Sequence, residues 1–183
     1  MEIDTGTNEL LCVVHDGVAL ITLNRPEARN AMSEKLTPAL RTQIKERGED
    51  PNVGALLITG AGTAFCSGGD VKSMAGRAAR TQLSFEDRLM DLRWRQANLT
   101  GALVGLRKPT IAALPGAAAG AGLAIALACD IRVAAKSAFA STGYARVGLS
   151  GDYGIAWLLT RTVGPARARQ LMITAERVDA ERG

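Results

Sequence analysis

The chain opens on two apolar runs, "LLCVV" (residues 10–14) and "VALITL" (residues 18–23), separated by His15-Asp16-Gly17. An Asp-Gly pair between two such runs predicts a β-hairpin, and Pro26 closes its second strand. Across residues 33–47, Leu36, Ala39, Leu40 and Ile44 recur at helical spacing, with Gly48 as the expected stop. "VGALLITG" (residues 53–60) is nearly unbroken in its apolar character, the pattern of a strand covered on both faces. A glycine-containing loop, "AGTAFCSGGDVKSM", follows, then an arginine-rich helical pattern over residues 77–107. Lys108-Pro109 leads into a strand, "TIAAL", a turn at Pro115-Gly116, a small-residue helix, "GAGLAIALA", and a short strand, "DIRVA". After Phe139 come a glycine-rich connection, a helix beginning near Asp152, and a last helix in "GPARARQLMIT". Strands alternating with helices predict one α/β domain over residues 1–183, with mostly parallel strands.

Residues 109–129 carry no charge and approach the length of a membrane span. Pro115 and Gly116 interrupt them, and alanine and glycine outnumber leucine, so the run reads as a buried strand, turn and helix, with no membrane association. The N-terminal "MEIDTGTNELL" lacks the basic-then-apolar order of a signal peptide. Cys12, Cys66 and Cys129 are far apart, which argues against a zinc site or disulfide framework and for a reducing cytoplasm. The net charge of +4 suits a polyanionic small molecule. No dense Lys/Arg stripe with interleaved aromatics is present, so nucleic acid is not an expected partner.

Two glycine-rich turns stand out, "FCSGGD" and "PGAAAGAGLA", each between a strand-like and a helix-like run. Such turns leave backbone N–H groups unpaired at a helix N-terminus and let a ligand reach the backbone. Brought together, they can form an oxyanion hole; their alternative role is close helix–strand packing. Neither fits G-x-G-x-x-G or the phosphate-loop pattern. His15, the single histidine, sits in the expected hairpin turn, and Ser67 lacks a G-x-S-x-G elbow, so a Ser-His-Asp triad is not supported.

Four segments, "ITLNRPEARNAMS", "LLITGAGTAFCSGGDVKSM", "KPTIAALPGAAAGAGLAIALACDIRVAAKSAFA" and "LLTRTVGPARARQLMITAERVDA", resemble successive signatures of the enoyl-CoA hydratase/isomerase (crotonase) family. The resemblance implies a crotonase-like fold of repeated ββα units, an acyl-CoA thioester substrate, and no cofactor beyond the coenzyme A moiety of that substrate. It implies an oxyanion hole with one N–H from Ser67 or Gly69 and the other from Ala121. It places Arg25, Ala28 and Arg29 of "RPEARNA" along the coenzyme A groove, Asp70 beside the thioester, and Cys66 as a small buried residue. Trp94 and Leu99 are candidates to line the acyl pocket, and Cys129 and Asp130 are structural. It implies assembly as a homotrimer or hexamer, as is usual in the family. Its pattern continues past "AERVDA" into C-terminal helices, so the chain is expected to be the core domain without that segment.

The departures narrow the chemistry. Family hydratases use two glutamates; their columns hold Ala124 and Tyr144 here. Neither supplies a carboxylate, and a phenol with a pKa near 10 is a poor base at neutral pH. Asp152 lies in a column where some family branches carry a catalytic aspartate, and its ordinary reading is a helix N-cap. The expected activity is double-bond isomerisation through an enolate, with Asp152 as acid–base and Tyr144 as a hydrogen-bond donor or pocket wall. A hydratase using a water placed by Asp152, and a non-catalytic acyl-CoA-binding scaffold, are the alternatives.

Overall fold

The computed structural model describes residues 1–70 and 84–182. A two-residue β1 (Glu2–Ile3) precedes β2 (Leu10–His15) and β3 (Val18–Leu23). The latter pair antiparallel from Leu10↔Leu23 to His15↔Val18. Asp16 and Gly17 both take positive φ, 47° and 75°, which a two-residue hairpin turn requires. Helix α1 (Leu36–Glu49) buries the predicted Leu36, Ala39, Leu40 and Ile44. The Ser33 hydroxyl accepts from the Leu36 N–H at 2.9 Å at its start. Gly48 does not stop this helix. It lies inside it, where a Cβ would stand 2.8 Å from Leu106 Cδ1, so the position serves a close approach.

Strand β4 (Ala55–Gly60) alternates buried with half-buried side chains. The expected loop after it contains a further strand, β5 (Ala64–Cys66). The helical pattern predicted over 77–107 is described from Ser84 onward, so Arg77 and Arg80 lie outside the described residues. It comprises α2 (Phe85–Gln96), a π turn (Ala97–Gly101) and one more α turn (Ala102–Val104). The charge-free run 109–129 folds as β6 (Thr110–Leu114), an unexpected β7 (Ala117–Ala119) and α3 (Ala121–Ala128). Among the described residues no helix is long and apolar enough to cross a membrane. Then follow β8 (Ile131–Ala134), β9 (Phe139–Ser141), a 3₁₀ turn (Tyr144–Val147), α4 (Ile155–Val163), α5 (Pro165–Thr174) and β10 (Val178–Asp179).

The strands form two sheets, ordered β1-β2-β3-β4-β6-β8 and β10-β9-β7-β5. In the first, β3, β4, β6 and β8 are parallel; in the second, β5, β7 and β9 are parallel. Leu10, Ile21, Leu23, Leu56 and Ile58 of the first sheet and Leu36, Leu40 and Ile44 of α1 are fully buried in one core. Each such side chain contributes about 1.5–3 kcal/mol relative to exposure. The second sheet positions the chemistry. Its strands β5, β7 and β9 are neighbours in register, Cys66↔Ala118 and Ala119↔Ser141. Their C-terminal ends therefore deliver the two glycine turns and the Tyr144 segment to one edge.

Candidate active site

At the end of β5 the chain turns through Gly68, at φ 96°, and hydrogen-bonds to the segment ahead of α1. The Met32 N–H donates to the Gly68 carbonyl at 2.8 Å, and the Ser67 N–H donates to the Arg29 carbonyl at 3.0 Å. The second bond separates the two candidates for the first oxyanion donor. The Ser67 N–H is already committed, whereas the Gly69 N–H has no acceptor among the described residues.

The second turn places Gly120 at φ 52° and ψ −126°, a conformation open to glycine, as the cap of α3. Ala121 is then the first residue of the helix, where the backbone N–H has no partner within the helix. The two turns touch. A Cβ on Gly68 would stand 3.0 Å from the Ala119 oxygen and 3.5 Å from the Ala121 nitrogen. Gly69 and Ala121 thus supply backbone donors from adjoining turns at one sheet edge.

Asp152 sits in the connection from the Tyr144 turn to α4. Its ordinary reading as a side-chain cap is not what the structure contains. Gly154 is the cap residue, with no side-chain cap bond, and it is the Asp152 backbone carbonyl that accepts from the Ile155 N–H at 3.0 Å. The carboxylate turns instead to Tyr144, whose Oη donates to Oδ1 at 2.5 Å. Tyr144 is buried, and its ring lies against Gly120, whose added Cβ would meet Cζ at 3.9 Å. The acid loop is thereby tied to the second glycine turn. Burial raises the Asp152 carboxyl above its usual range, and the Tyr144 hydrogen bond opposes that rise. Burial first, then the Asp152 charge, pushes the Tyr144 phenol far up, so Tyr144 is a donor and not a base.

Asp152 and Gly69 line one cavity of about 610 Å³, with Met32, Asp70, Trp94 and Tyr153 also on its wall. Leu99 is not on that wall; it is fully buried in the core. Ala124 is also fully buried and offers no polar group. The Cys66 thiol, buried behind the first turn, is pushed up to about 11 by that burial, so it is no thiolate nucleophile at neutral pH. His15 is not in the turn: it is the last residue of β2, paired with Val18, and its exposed side chain lies beside Asp16. Asp130 accepts from the Thr110 N–H and hydroxyl at 2.8 and 2.7 Å, fixing the α3–β8 junction to β6.

The groove residues divide. Arg25 is turned inward: Nη1 donates to the Ala31 carbonyl at 2.7 Å, and the guanidinium pairs with Asp70 and Glu9, each at 3.4 Å. Those contacts occupy the Arg25 guanidinium, which pins Asp70 and the chain ahead of α1 rather than standing open along the expected coenzyme A groove. Ala28 is half-buried and accepts from the Ser67 hydroxyl at 3.4 Å, while the Arg29 side chain is exposed at φ 51°. Tyr153 and Arg41 are among the cavity residues that the sequence did not single out. Tyr153 stands between Asp152 and Gly154 at φ 48°, and its signal was its place beside Asp152. Arg41 belongs to no motif and reaches the cavity because α1 runs along it.

Residues 14–182 match the enoyl-CoA hydratase/isomerase family. A Mycobacterium tuberculosis protein named probable enoyl-CoA hydratase EchA14 is 38% identical over 172 residues, covering 94% of this chain and 64% of that protein. The 1,2-epoxyphenylacetyl-CoA isomerase of Escherichia coli is 37% identical over 177 residues, covering 94% and 64%. The crystal structure of an enoyl-CoA hydratase from Polaromonas sp. JS666 superposes with a TM-score of 0.84 at 33% identity, covering 94% of this chain and 66% of that one. The chain thus spans a little under two thirds of the length of these curated relatives. The fold is the crotonase fold expected from the four segments, and the chain belongs to the enoyl-CoA hydratase/isomerase family.

Proposed function

We propose that the protein acts on an acyl-CoA thioester through an enolate, moving a double bond, with Asp152 as the group that carries the proton. The observation behind this reading is the direction of the Asp152 carboxylate. It does not cap its own helix; it is held by Tyr144 on the wall of the cavity it shares with Gly69. The N–H groups of Gly69 and Ala121 would hold the thioester oxygen, which makes protons on nearby carbons acidic. Asp152 removes a proton from C2 of a 3-enoyl thioester, leaving a dienolate with its charge on that oxygen. The same carboxyl returns the proton to C4, and the double bond comes to rest between C2 and C3. No redox change occurs and nothing beyond the coenzyme A thioester is consumed.

Incubation with a 3-enoyl-CoA should give the conjugated 2-enoyl-CoA at unchanged mass. The hydratase names borne by relatives favour a second reading, addition of water placed by Asp152, in which a 2-enoyl-CoA gains the mass of one water. Saturable binding of both thioesters without turnover of either would leave the scaffold reading standing and remove the isomerase one.

Tyr144 has a separable role. Phenylalanine there keeps the ring against Gly120 and removes the donor to Asp152. The carboxyl then loses the interaction that opposes burial and titrates higher. The acid limb of the kcat/KM profile should move to higher pH, with a loss in kcat of about tenfold. A Tyr144→Phe profile that superposes on the parent's would show that the hydroxyl does not act on the base.

A further inference from the structure

The charges around the cavity are unevenly matched. Four carboxylates line it: Asp70 is held by Arg25, Asp91 pairs with Arg95 at 2.8 Å, Asp152 accepts from Tyr144 at 2.5 Å, and Glu34 is also engaged. Arg41 lines the same cavity without an equivalent partner. Its Nε donates to the Arg95 carbonyl at 3.2 Å, and its guanidinium lies 5.6 Å from the centroid of the Trp94 ring. No carboxylate among the described residues pairs with it, and its Nη2 is buried with no acceptor. That buried N–H is covered by protein; what the half-buried guanidinium offers a ligand is its remaining edge and a charge with no carboxylate beside it. Tyr153 lies beside Arg41 on the same wall. Arg41 and Tyr153 therefore place two donors on the wall that also carries Asp152.

We propose that Arg41, assisted by Tyr153, receives a carboxylate at the far end of the acyl group, so that the preferred substrates are ω-carboxyacyl-CoA thioesters rather than plain alkyl ones. This rests on the acyl-CoA reading above and adds to it the class of acyl group. A guanidinium takes a carboxylate by two parallel hydrogen bonds, and the half-buried setting strengthens the pairing.

The test is binding, which needs no turnover. Saturated acyl-CoA and ω-carboxyacyl-CoA thioesters of equal chain length are titrated calorimetrically into the parent, Arg41→Gln, Arg41→Lys and Tyr153→Phe. The parent should favour the carboxylate-ended thioester by about 10- to 100-fold. Arg41→Gln should bring that ratio close to one, with Arg41→Lys and Tyr153→Phe in between. Equal affinities in the parent, or a preference that survives Arg41→Gln, would overturn the proposal. If Arg41→Gln does not fold, the ratio in the parent and in Arg41→Lys still decides it. Failure to bind either thioester would instead count against the acyl-CoA reading itself, whereas equal binding with turnover would remove only the carboxylate site.

Discussion

Asp152→Asn is expected to lower turnover on the responsive thioester by about 10²–10⁴-fold, the usual cost of losing a general base. Asparagine is the informative replacement because its side-chain oxygen can still accept from Tyr144, keeping the loop tied to the second glycine turn. What disappears is the ability to take and return a proton. A variant within a few-fold of the parent would remove Asp152 from the mechanism. Stability provides the control. The folded-state carboxyl of Asp152 is raised by burial. Its contribution to stability is therefore present below its unfolded value and lost as pH rises through the raised folded value. The asparagine variant escapes that loss. The parent's melting temperature relative to the variant's should be higher in acid than at neutral pH, and the variant should be well folded at neutral pH. An inactive but stable Asp152→Asn would separate catalysis from folding.

The family was legible because its signature segments are local: glycine turns, the Asn-Arg-Pro stretch and small-residue helices keep their identity in a linear sequence. Long elements were legible for a related reason, since α1 repeats its apolar positions over several turns. Strands β5, β7, β9 and β10 were not. Each has two or three residues, too few for an alternation to show, and each exists because a parallel or antiparallel neighbour supplies its hydrogen bonds.

The site shows the same division. Which turns bring backbone N–H groups to one sheet edge was readable. Which residue of the first turn keeps its N–H unpaired depends on the Arg29 carbonyl, 38 positions earlier in the chain, which takes the Ser67 N–H. Arg25 was expected to be open along the coenzyme A groove because an arginine in a loop ordinarily points to solvent. It points inward because Glu9 and Asp70 converge on it from opposite sides in sequence. For Asp152 the decisive fact is the position of Tyr144, and the helix cap was excluded by the backbone of Gly154.

Gly122 tests whether contact between the two turns matters as much as the residues they carry. Alanine in a helix is ordinarily favoured over glycine by roughly 1 kcal/mol. At position 122 the added Cβ would lie 2.3 Å from the Cys66 oxygen and 2.6 Å from the Cys66 Cβ, so the first turn of α3 must move away from the end of β5. Overpacking of this kind costs about 1–3 kcal/mol, and relief by movement displaces Ala121 relative to Gly69. Gly122→Ala should therefore lower the melting temperature, by roughly 4–12 °C if the net loss is about 2–3 kcal/mol. A displacement near 1 Å between the donors should also cost turnover about 10²-fold. Gly148→Ala is the matched control, because a Cβ there meets nothing within 4 Å, although its φ of 70° carries its own backbone strain. That strain should lower stability without removing activity from the folded protein. If Gly122→Ala lost stability but kept full turnover, the close approach would serve packing alone. If it lost both while Gly148→Ala lost only stability, the spacing of the two turns would be part of the catalytic apparatus.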